Sequence, residues 1–241
     1  MGVGRREDRP GAAMNPVLAT MIWKNRQLRH QLYLLRARYQ LAAGGFATGL
    51  GSSAWLLHGL VRTLRPETCV EIGSAQGWST CHIALALKEN FAGRLYAIDP
   101  HTQTAWNDAG PADTYNILQN NLRRCGVAKQ VEIVRATSEA AARGWARPID
   151  FLFIDGDHSP QGVRRDWELF SPFLGEFGVA VFHDTTWERH GPNRPDMGVP
   201  RFVDELRREG YPVITIDRDC GLSLVQSRRG GVPLVPPTGT P

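Results

Sequence analysis

Short apolar runs alternate with stretches whose apolar residues recur every three or four positions through the middle of the chain. The apolar runs predict strands, at 68–72, 94–99, 130–135, 149–155 and 178–184. The stretches between them predict helices, at 78–90, 113–125, 137–143 and 160–173. Continuous apolar strands separated by helices are typical of a parallel sheet covered on both faces. We therefore predict an α/β fold with a doubly wound, Rossmann-like sheet.

The last part of this region has a different pattern. A predicted helix at 199–209 is followed by two strand-like runs, 212–217 and 221–226, joined by the short turn Arg218-Asp219-Cys220. Such a pair predicts a hairpin. The sheet is therefore expected to have seven strands, mostly parallel, with one reversed strand at its edge.

A long amphipathic helix is predicted before the sheet region. It begins after Asn15, with Pro16 at its first helical position, and stops near Gly44-Gly45. One face carries a heptad seam with a single polar position, formed by Leu18, Met21, Asn25, Leu28, Leu32, Leu35 and Tyr39. Two interpretations stay open: the seam covers its own domain, or it forms a dimer contact. A second helix is predicted at about 52–64.

Composition and charge set the domain boundaries and exclude some classes of function. Residues 1–14 and 228–241 are predicted to be disordered, 15–66 to form a helical extension, and 67–227 to form the main domain. Residues 1–40 carry eight basic and two acidic side chains, which leaves 20 basic and 22 acidic ones elsewhere. A folded body without basic excess argues against nucleic-acid binding.

The location is predicted from cysteines and from apolar segments. The four cysteines are scattered without C-x-x-C spacing, as in a reduced intracellular protein. No stretch has the length of a membrane span, and the first residues lack the apolar core of a secretory signal. We therefore expect a cytoplasmic protein without membrane partners.

The predicted strands end on acidic residues. Four of the five parallel strands finish with a carboxylate, contributed by Glu71, Asp99, Asp155 and Asp184. Ligands of open parallel sheets bind beyond the carboxyl ends of the strands. These acids are therefore candidates for one common site, although each alone would be interpreted as a capping or turn residue.

The first strand leads into a glycine-rich turn, Gly73-Ser74-Ala75-Gln76-Gly77, that opens a helix. Its G-x-x-x-G spacing differs from the G-x-G-x-x-G of dinucleotide sites, which argues against a nicotinamide-dependent oxidoreductase. A buried Glu71 beside this loop would repel a pyrophosphate but suit an ammonium or sulfonium group. Asp99, at the next strand end, is placed to accept hydrogen bonds from two ribose hydroxyls.

With these features the sequence resembles the class I S-adenosylmethionine-dependent methyltransferases, over roughly residues 68–226. The segments VEIGSAQGWST, IDGDHSPQGVRRD and FHDTTW resemble the metal-dependent small-molecule O-methyltransferases, which include catechol-type enzymes and macrolide and aminocoumarin sugar O-methyltransferases. The resemblance implies that Glu71 binds the methionine amino group, Asp99 holds the ribose, and Thr137 with Ser138 lies near the adenine. The other implied cofactor residues are Gly73, Ser74, Gly77, Ser79 and Asp155.

Asp155 and Asp184 end neighbouring predicted strands and are candidates to share one divalent cation, because adjacent strands lie about 4.8 Å apart. Magnesium suits such hard oxygen ligands. His183 stands where the sugar-modifying relatives have a second acid, and a nitrogen ligand would move the preference toward manganese, iron or zinc. His183 is therefore either a third ligand or a residue that orients Asp184.

A base must remove the proton of the acceptor hydroxyl. His158 is the first candidate, since it stands where the catechol-type relatives have a lysine and imidazole titrates near neutral pH. Asp157 is the alternative, because some sugar-modifying relatives use a carboxylate there. The polar loop at 185–198 and Trp106 are candidates for acceptor contacts.

We therefore predict a metal-dependent O-methyltransferase that uses S-adenosylmethionine and acts on a small hydroxylated acceptor, such as a natural-product sugar or another vicinal diol. A relative of the cephalosporin hydroxylases with the same fold is the nearest alternative. A binding protein on a decayed methyltransferase fold is disfavoured, because Asp155, His158 and Asp184 are all present.

Overall fold

A single seven-stranded sheet forms the centre of the structure, a computed structural model that describes residues 16–43, 46, 49–103, 106, 113–191 and 193–227. Both terminal segments predicted to be disordered lie outside the described residues. The strand order is β3-β2-β1-β4-β5-β7-β6. The strands are β1 Thr68–Ile72, β2 Arg94–Ile98, β3 Val131–Val134, β4 Ile149–Ile154, β5 Leu174–His183, β6 Val213–Ile216 and β7 Leu222–Gln226.

Helices follow the strands in the predicted order. They are α1 Pro16–Ala42, α2 Ala54–Leu64, α3 Trp78–Asn90, α4 Tyr115–Arg124, α5 Ser138–Ala142, α6 Pro160–Phe170, α7 Trp187–His190 and α8 Val199–Arg208. The short helix α7 lies within the segment that the sequence predicted as a polar loop. None of the helices in the described ranges is both long enough and apolar enough to cross a bilayer.

The sheet is apolar on both faces because alternate residues of its central strands point in opposite directions. Phe151 and Phe153 of β4 pack in a cluster with α2 and α3 on one face. Leu152 and Ile154 pack in a cluster with α6 and α8 on the other. The prediction of a parallel sheet with helices on both faces is thereby confirmed.

One strand of the sheet is reversed. β7 pairs antiparallel with both β5 and β6, while β1 to β5 pair in parallel. The mostly parallel sheet with one reversed strand is confirmed. The reversed strand β7 lies one position inside the edge, and β6 forms the edge itself.

Helix α1 packs on the domain with the face opposite to its heptad seam. Ala37 and Leu41 are buried in a cluster with α3 and α4. The seam side chains Met21, Leu28, Leu32, Leu35 and Tyr39 are instead 57–69% exposed. The interpretation that the seam covers its own domain is therefore wrong. The side chain of Leu18 lies outside the described part.

Candidate functional site

The carboxyl ends of β2, β1, β4 and β5 lie side by side and are joined by backbone hydrogen bonds. The amide of Gly73 donates to the carbonyl of Ile98, and the amide of Asp155 donates to that of Ile72, each at 2.9 Å. The strand order changes direction between β1 and β4, which is where open α/β sheets bind ligands. The acidic strand ends therefore converge on one edge, as the sequence predicted.

Glu71 is completely buried at the end of β1. Neither carboxylate oxygen makes a well-formed hydrogen bond among the described residues. Burial raises the pKa of Glu71 from 4.5 to about 8, although the nearby hydroxyls of Ser79 and Thr80 act in the opposite direction. A buried carboxyl group without a partner is suited to bind a cationic ligand.

The loop after β1 turns through three residues with left-handed backbone conformations, Gly73, Ala75 and Gly77. A Cβ atom on Gly73 would lie 2.1 Å from the carbonyl oxygen of Asp155, so only glycine fits against this strand end. The side of Gly77 that a Cβ would occupy faces Leu118 of α4.

Asp99 is fixed by backbone donors from two loops. One carboxylate oxygen accepts from the amide of Ala75 at 2.8 Å, and the other accepts from the amide of His101 at 2.6 Å. His101 is buried, has a left-handed backbone, and places Nδ1 2.8 Å from the hydroxyl of Thr114. The sequence placed Asp99 in the site but gave no indication of His101.

The two residues predicted to lie near the adenine begin α5. The hydroxyl of Thr137 accepts the amide of Ala140 at 3.3 Å as a helix cap. Ser138 hydrogen-bonds the buried Asp166, and burial raises the pKa of Asp166 to about 6. Asp166 is a buried carboxyl group beside these two residues that sequence reasoning missed. Its only sequence signal is a carboxylate on the buried face of α6.

Two carboxylates and two imidazoles meet at the ends of β4 and β5. The ring nitrogens of His158 lie 3.4 Å from Asp155 and 3.0 Å from Asp184. His183 Nδ1 lies 3.0 Å from Asp155 and 3.3 Å from Asp184. The predicted metal ligands and the predicted base are thus all in one cluster.

His158 fits a cation at this position better than His183 does. One donor atom each of Asp155, His158 and Asp184 lies within 4.8 Å of the others. Two buried atoms, His158 Nε2 and Asp184 Oδ1, lack a well-formed hydrogen bond among the described residues. His183 Nε2 donates to the carbonyl of Asp219 at 3.0 Å, so one of its nitrogens is already engaged.

The protein without a cation holds this cluster together by charge. Burial opposes protonation of both imidazoles, yet Asp155 and Asp184 raise the pKa of His158 to about 10 and that of His183 to about 9. Conversely, burial opposes ionisation of Asp155, but the two imidazoles hold its pKa well below its usual range. Both histidines are therefore cationic at neutral pH in this state.

Asp157, the alternative base, is engaged with an aromatic side chain. Its Oδ1 accepts the indole N–H of Trp106 at 2.8 Å and the amide of Ser159 at 2.9 Å. The ring of Trp106 lies 5.1 Å from that of His158, and the guanidinium of Arg194 stacks 3.9 Å above the indole. Trp106 thus forms a wall beside the carboxylate–imidazole cluster.

The other residues suggested for acceptor contacts divide into two groups. Arg189 and His190 pair with Asp217 at 2.6 Å each. Trp187 and Arg194 line a cavity of about 300 Å³. Trp187 and Arg194 therefore border open space, and Arg194 connects this cavity to Trp106 through its stacked guanidinium. Arg189 and His190 are instead tied to Asp217, the residue after the edge strand β6.

Comparison with known proteins was consistent with this geometry. A family model described as a methyltransferase domain matches residues 70–185. Tricin synthase 1 of Oryza sativa is 27% identical over 177 residues, which cover 70% of this chain and 64% of the rice protein. An uncharacterised protein of Sinorhizobium fredii is 30% identical over 167 residues, 64% of this chain but only 17% of that protein. The chain thus spans less than two thirds of either relative.

Solved structures share the fold. The O-methyltransferase from Bacillus cereus, in complex with S-adenosylhomocysteine, superimposes with a TM-score of 0.59 at 18% identity. The match covers 81% of this chain and 90% of that protein. At this identity the likeness establishes the fold alone.

Proposed function

We propose that this chain belongs to the class I S-adenosylmethionine-dependent methyltransferases and transfers a methyl group to a hydroxyl of a small molecule, which the match of residues 70–185 to a methyltransferase domain supports. The observation that carries the proposal is the buried Glu71, whose carboxylate makes no well-formed hydrogen bond among the described residues, next to the Asp99 loop and the carboxylate–imidazole cluster. The printed activities of relatives, an O-methyltransferase and a tricin synthase, support oxygen as the acceptor atom.

Glu71 and Asp99 are the proposed cofactor ligands. The methionine ammonium would pair with Glu71. This pairing favours the ionised form of the Glu71 carboxyl group and so offsets the free-energy cost of burying that charge. Asp99 is held by two backbone amides and keeps further lone pairs for ribose hydroxyls. Gly73, Ser74, Gly77 and Ser79 are proposed to line the methionine part, and Thr137 and Ser138 the adenine part.

We further propose that Asp155 and Asp184 hold a divalent cation, with His158 or His183 as a nitrogen donor. When bound, such a cation lowers the pKa of an acceptor hydroxyl and orients it. Magnesium was the first expectation from two carboxylates, but two imidazoles within 3.4 Å of them favour manganese, iron or zinc.

His158 is the preferred base if His183 supplies the nitrogen ligand. Asp157 is the alternative, and takes this role if His158 is itself the ligand. Oδ1 of Asp157 already accepts two hydrogen bonds, which hold this carboxylate against Trp106 and the start of α6. The high pKa of His158 comes from the charges of Asp155 and Asp184. A cation bound by these carboxylates would offset their charge, and His158 could then be neutral and accept the proton.

The acceptor is proposed to lie against Trp106, in the space bounded by Trp187 and Arg194. An indole face stacked on a guanidinium is a flat wall suited to a sugar or aromatic ring. The cavity of about 300 Å³ fits a small molecule. A vicinal diol of a natural-product sugar or a catechol-like ring matches this wall and a cation that orients oxygen.

Calorimetry tests the cofactor assignment. S-adenosylhomocysteine should bind the wild-type protein, and Glu71→Ala or Asp99→Ala should weaken binding by at least tenfold, since each removes a charged partner. Glu176→Ala is the control, because Glu176 is an exposed acid near the amino end of β5, whereas the site lies at the carboxyl end of that strand. Tight binding of NADH instead of S-adenosylhomocysteine would contradict the proposal.

The metal proposal is tested by binding and turnover together. Asp184→Ala should abolish manganese binding in calorimetry and methyl transfer to a panel of diols, while S-adenosylhomocysteine binding stays within a few-fold. Full activity in excess chelator would falsify the role of a cation without touching the cofactor assignment.

Single-turnover kinetics distinguish the two possible bases. His158→Ala should slow methyl transfer far more than it changes acceptor affinity, because a base acts in the transition state. If Asp157→Ala slows the chemical step and His158→Ala mainly loses metal, the two roles must be exchanged.

A further inference from the structure

An exposed apolar stripe runs along α1. It consists of Met21, Leu28, Leu32, Leu35 and Tyr39, which are 64%, 60%, 57%, 62% and 69% exposed. Scattered exposed apolar residues are normal, but contiguous apolar patches mark interaction surfaces. At about 1.5 Å per residue, the stripe is roughly 27 Å long.

The described part of the domain does not cover this stripe, because α1 is attached to it through its other faces. Ala37 and Leu41 are buried against α3 and α4. His30 contacts Phe91 at 4.7 Å between ring centroids, and Arg38 binds Glu89 of α3 at 2.7 Å. These contacts fix α1 on the domain and leave the stripe facing outward.

The spacing of the stripe specifies what can cover it. Its members are separated by seven, four, three and four residues, and Asn25 fills the gap between Met21 and Leu28. This is a heptad seam with leucine or methionine at the d positions and Asn25, Leu32 and Tyr39 at the a positions. Leucine at d and a single asparagine at a are typical of two-stranded coiled coils.

Asn25 also selects the orientation of the partner helix. In a parallel, in-register pair, each Asn25 meets Asn25 of the second copy and the two amides can hydrogen-bond. In an antiparallel pair centred on the stripe, Asn25 would meet Leu35 and remain without a partner. Because unpaired polar groups are costly to bury, the parallel arrangement is favoured.

A groove beside the stripe adds to the surface that a partner can bury. It has a volume of about 560 Å³ and lies between α1 and the end of α3. Leu35 belongs to both the groove and the stripe, and Phe91 on the far wall is 78% exposed. A second helix along the stripe would therefore also border Phe91.

We propose that α1 is a dimer interface, at which two copies of this chain pack their heptad seams in parallel and in register. The interface is independent of the methyl-transfer proposal, since the stripe lies outside the carboxylate–imidazole site. The flanks of the seam are basic, with Lys24, Arg29 and Arg36, and α1 contains no acidic residue. Like charges on the flanks weaken the dimer at low salt.

Sedimentation equilibrium of the full-length protein tests the interface. The wild type is expected to be a dimer at micromolar concentration and to associate at least tenfold more tightly at 0.5 M than at 0.05 M salt, because salt screens the basic flanks. Leu32→Glu should give a monomer. Gln40→Glu adds the same charge to α1 on another face and should leave the dimer intact.

Folding and alternative partners are controlled in the same experiment. Leu32 is exposed, so circular dichroism and thermal melting of Leu32→Glu should match those of the wild type. A monomeric wild type at both salt concentrations, or a dimer that Leu32→Glu does not dissociate, overturns the proposal. Salt-sensitive binding of the monomer to vesicles with anionic lipid would instead assign the stripe to a membrane surface.

Oxidative crosslinking tests the orientation. Leu32→Cys should form an intermolecular disulfide in a parallel, in-register dimer. The wild type is the background control, because three of its cysteines are buried and Cys220 lies outside α1. If only the double variant Leu28→Cys and Leu32→Cys crosslinks, the pair is antiparallel and the proposed orientation is wrong.

Discussion

Burial destabilises the ionised form of Glu71, since its carboxylate makes no well-formed hydrogen bond among the residues that the structure describes. Because its pKa in the folded protein is about 8 against an ordinary 4.5, the folded state binds more protons than the unfolded state between these values. Stability should therefore fall as the pH rises from about 5 to 8. Glu71→Gln should remove this fall and raise stability at pH 8 by on the order of a few kcal/mol.

Thermal melting between pH 5 and pH 9 checks this prediction, with Glu176→Gln as an exposed control. The same Glu71→Gln protein should bind S-adenosylhomocysteine at least tenfold more weakly, because the ammonium loses its counter-charge. A variant that is less stable than the wild type at pH 8 would show that Glu71 has a structural partner instead.

In the loop after β1, Gly73 is the position at which the backbone conformation and its surroundings most strictly require glycine. Its φ of +86° disfavours any side chain, and a Cβ atom here would lie only 2.1 Å from the carbonyl oxygen of Asp155. Gly73→Ala should cost about 2 to 4 kcal/mol in urea unfolding, through strain and through displacement of the Asp155 strand end. Gly144→Ala, where a Cβ meets nothing within 4 Å, should change stability by less than about 0.5 kcal/mol.

At the scale of elements, the turn between β6 and β7 holds the beginning of α2. The carboxylate of Asp219 accepts hydrogen bonds from the amide and hydroxyl of Ser53 at 3.0 and 2.9 Å. A carboxylate is favourable at a helix N-terminus. The backbone carbonyl of the same residue accepts from His183, so the turn connects the helical extension to the carboxylate–imidazole cluster.

Asp219→Ala should therefore destabilise the protein by about 1 to 2 kcal/mol, because it removes the cap and places alanine at a φ of 50°. Asp219→Asn keeps an acceptor and tolerates the left-handed backbone, so most of the stability should return. Chemical denaturation of the two variants checks this prediction. If only Asp219→Ala is unstable, the lost cap is the cause; if both variants are equally unstable, the substitutions disrupt the turn in general.

The strands and long helices were predictable from sequence because each depends on local periodicity. The runs around Val70, Tyr96 and Phe153 are short, continuously apolar and rich in β-branched and aromatic residues, which is typical of strands buried on both faces. Helix α7 was missed because its four residues, Trp187 to His190, are too few to show a period. The acidic strand ends were predicted to converge, since parallel strands place their carboxyl ends on one edge.

Contacts between distant segments could not be predicted in the same way. The position of His158 between two carboxylates depends on the conformation of the loop after β4, which the spacing Asp155-x-x-His158 does not determine. The bond between Ser53 and Asp219 joins residues 166 positions apart. The seam of α1 was visible in the sequence, but its outward direction follows only from where Ala37 and Leu41 are buried.

At the scale of the whole molecule, Glu89 joins three helices. Its side chain, 5% exposed, pairs with Arg38 of α1 at 2.7 Å and with His58 and Arg62 of α2 at 3.1 Å each. Burial opposes ionisation of Glu89, but His58 and Arg38 hold its pKa below the ordinary 4.5. This cluster is therefore one of the main attachments of the helical extension to the sheet domain.

Glu89→Gln should leave two arginines without their counter-charge and destabilise the protein by about 2 kcal/mol, less than for a fully buried pair because both arginines are partly exposed. Hydrogen exchange should accelerate in the C-terminal half of α1. Because the folded-state pKa is lowered, the stabilisation is present above pH 4.5 and is lost as the pH falls through the folded-state value. In urea unfolding, the difference in stability between the wild type and Glu89→Gln should therefore shrink below about pH 4.5. The control is Glu132→Gln, which breaks an exposed pair with Arg94 and should lower stability by less than about 0.5 kcal/mol at any pH. Equal effects of both variants would mean that α1 is held by its apolar contacts alone.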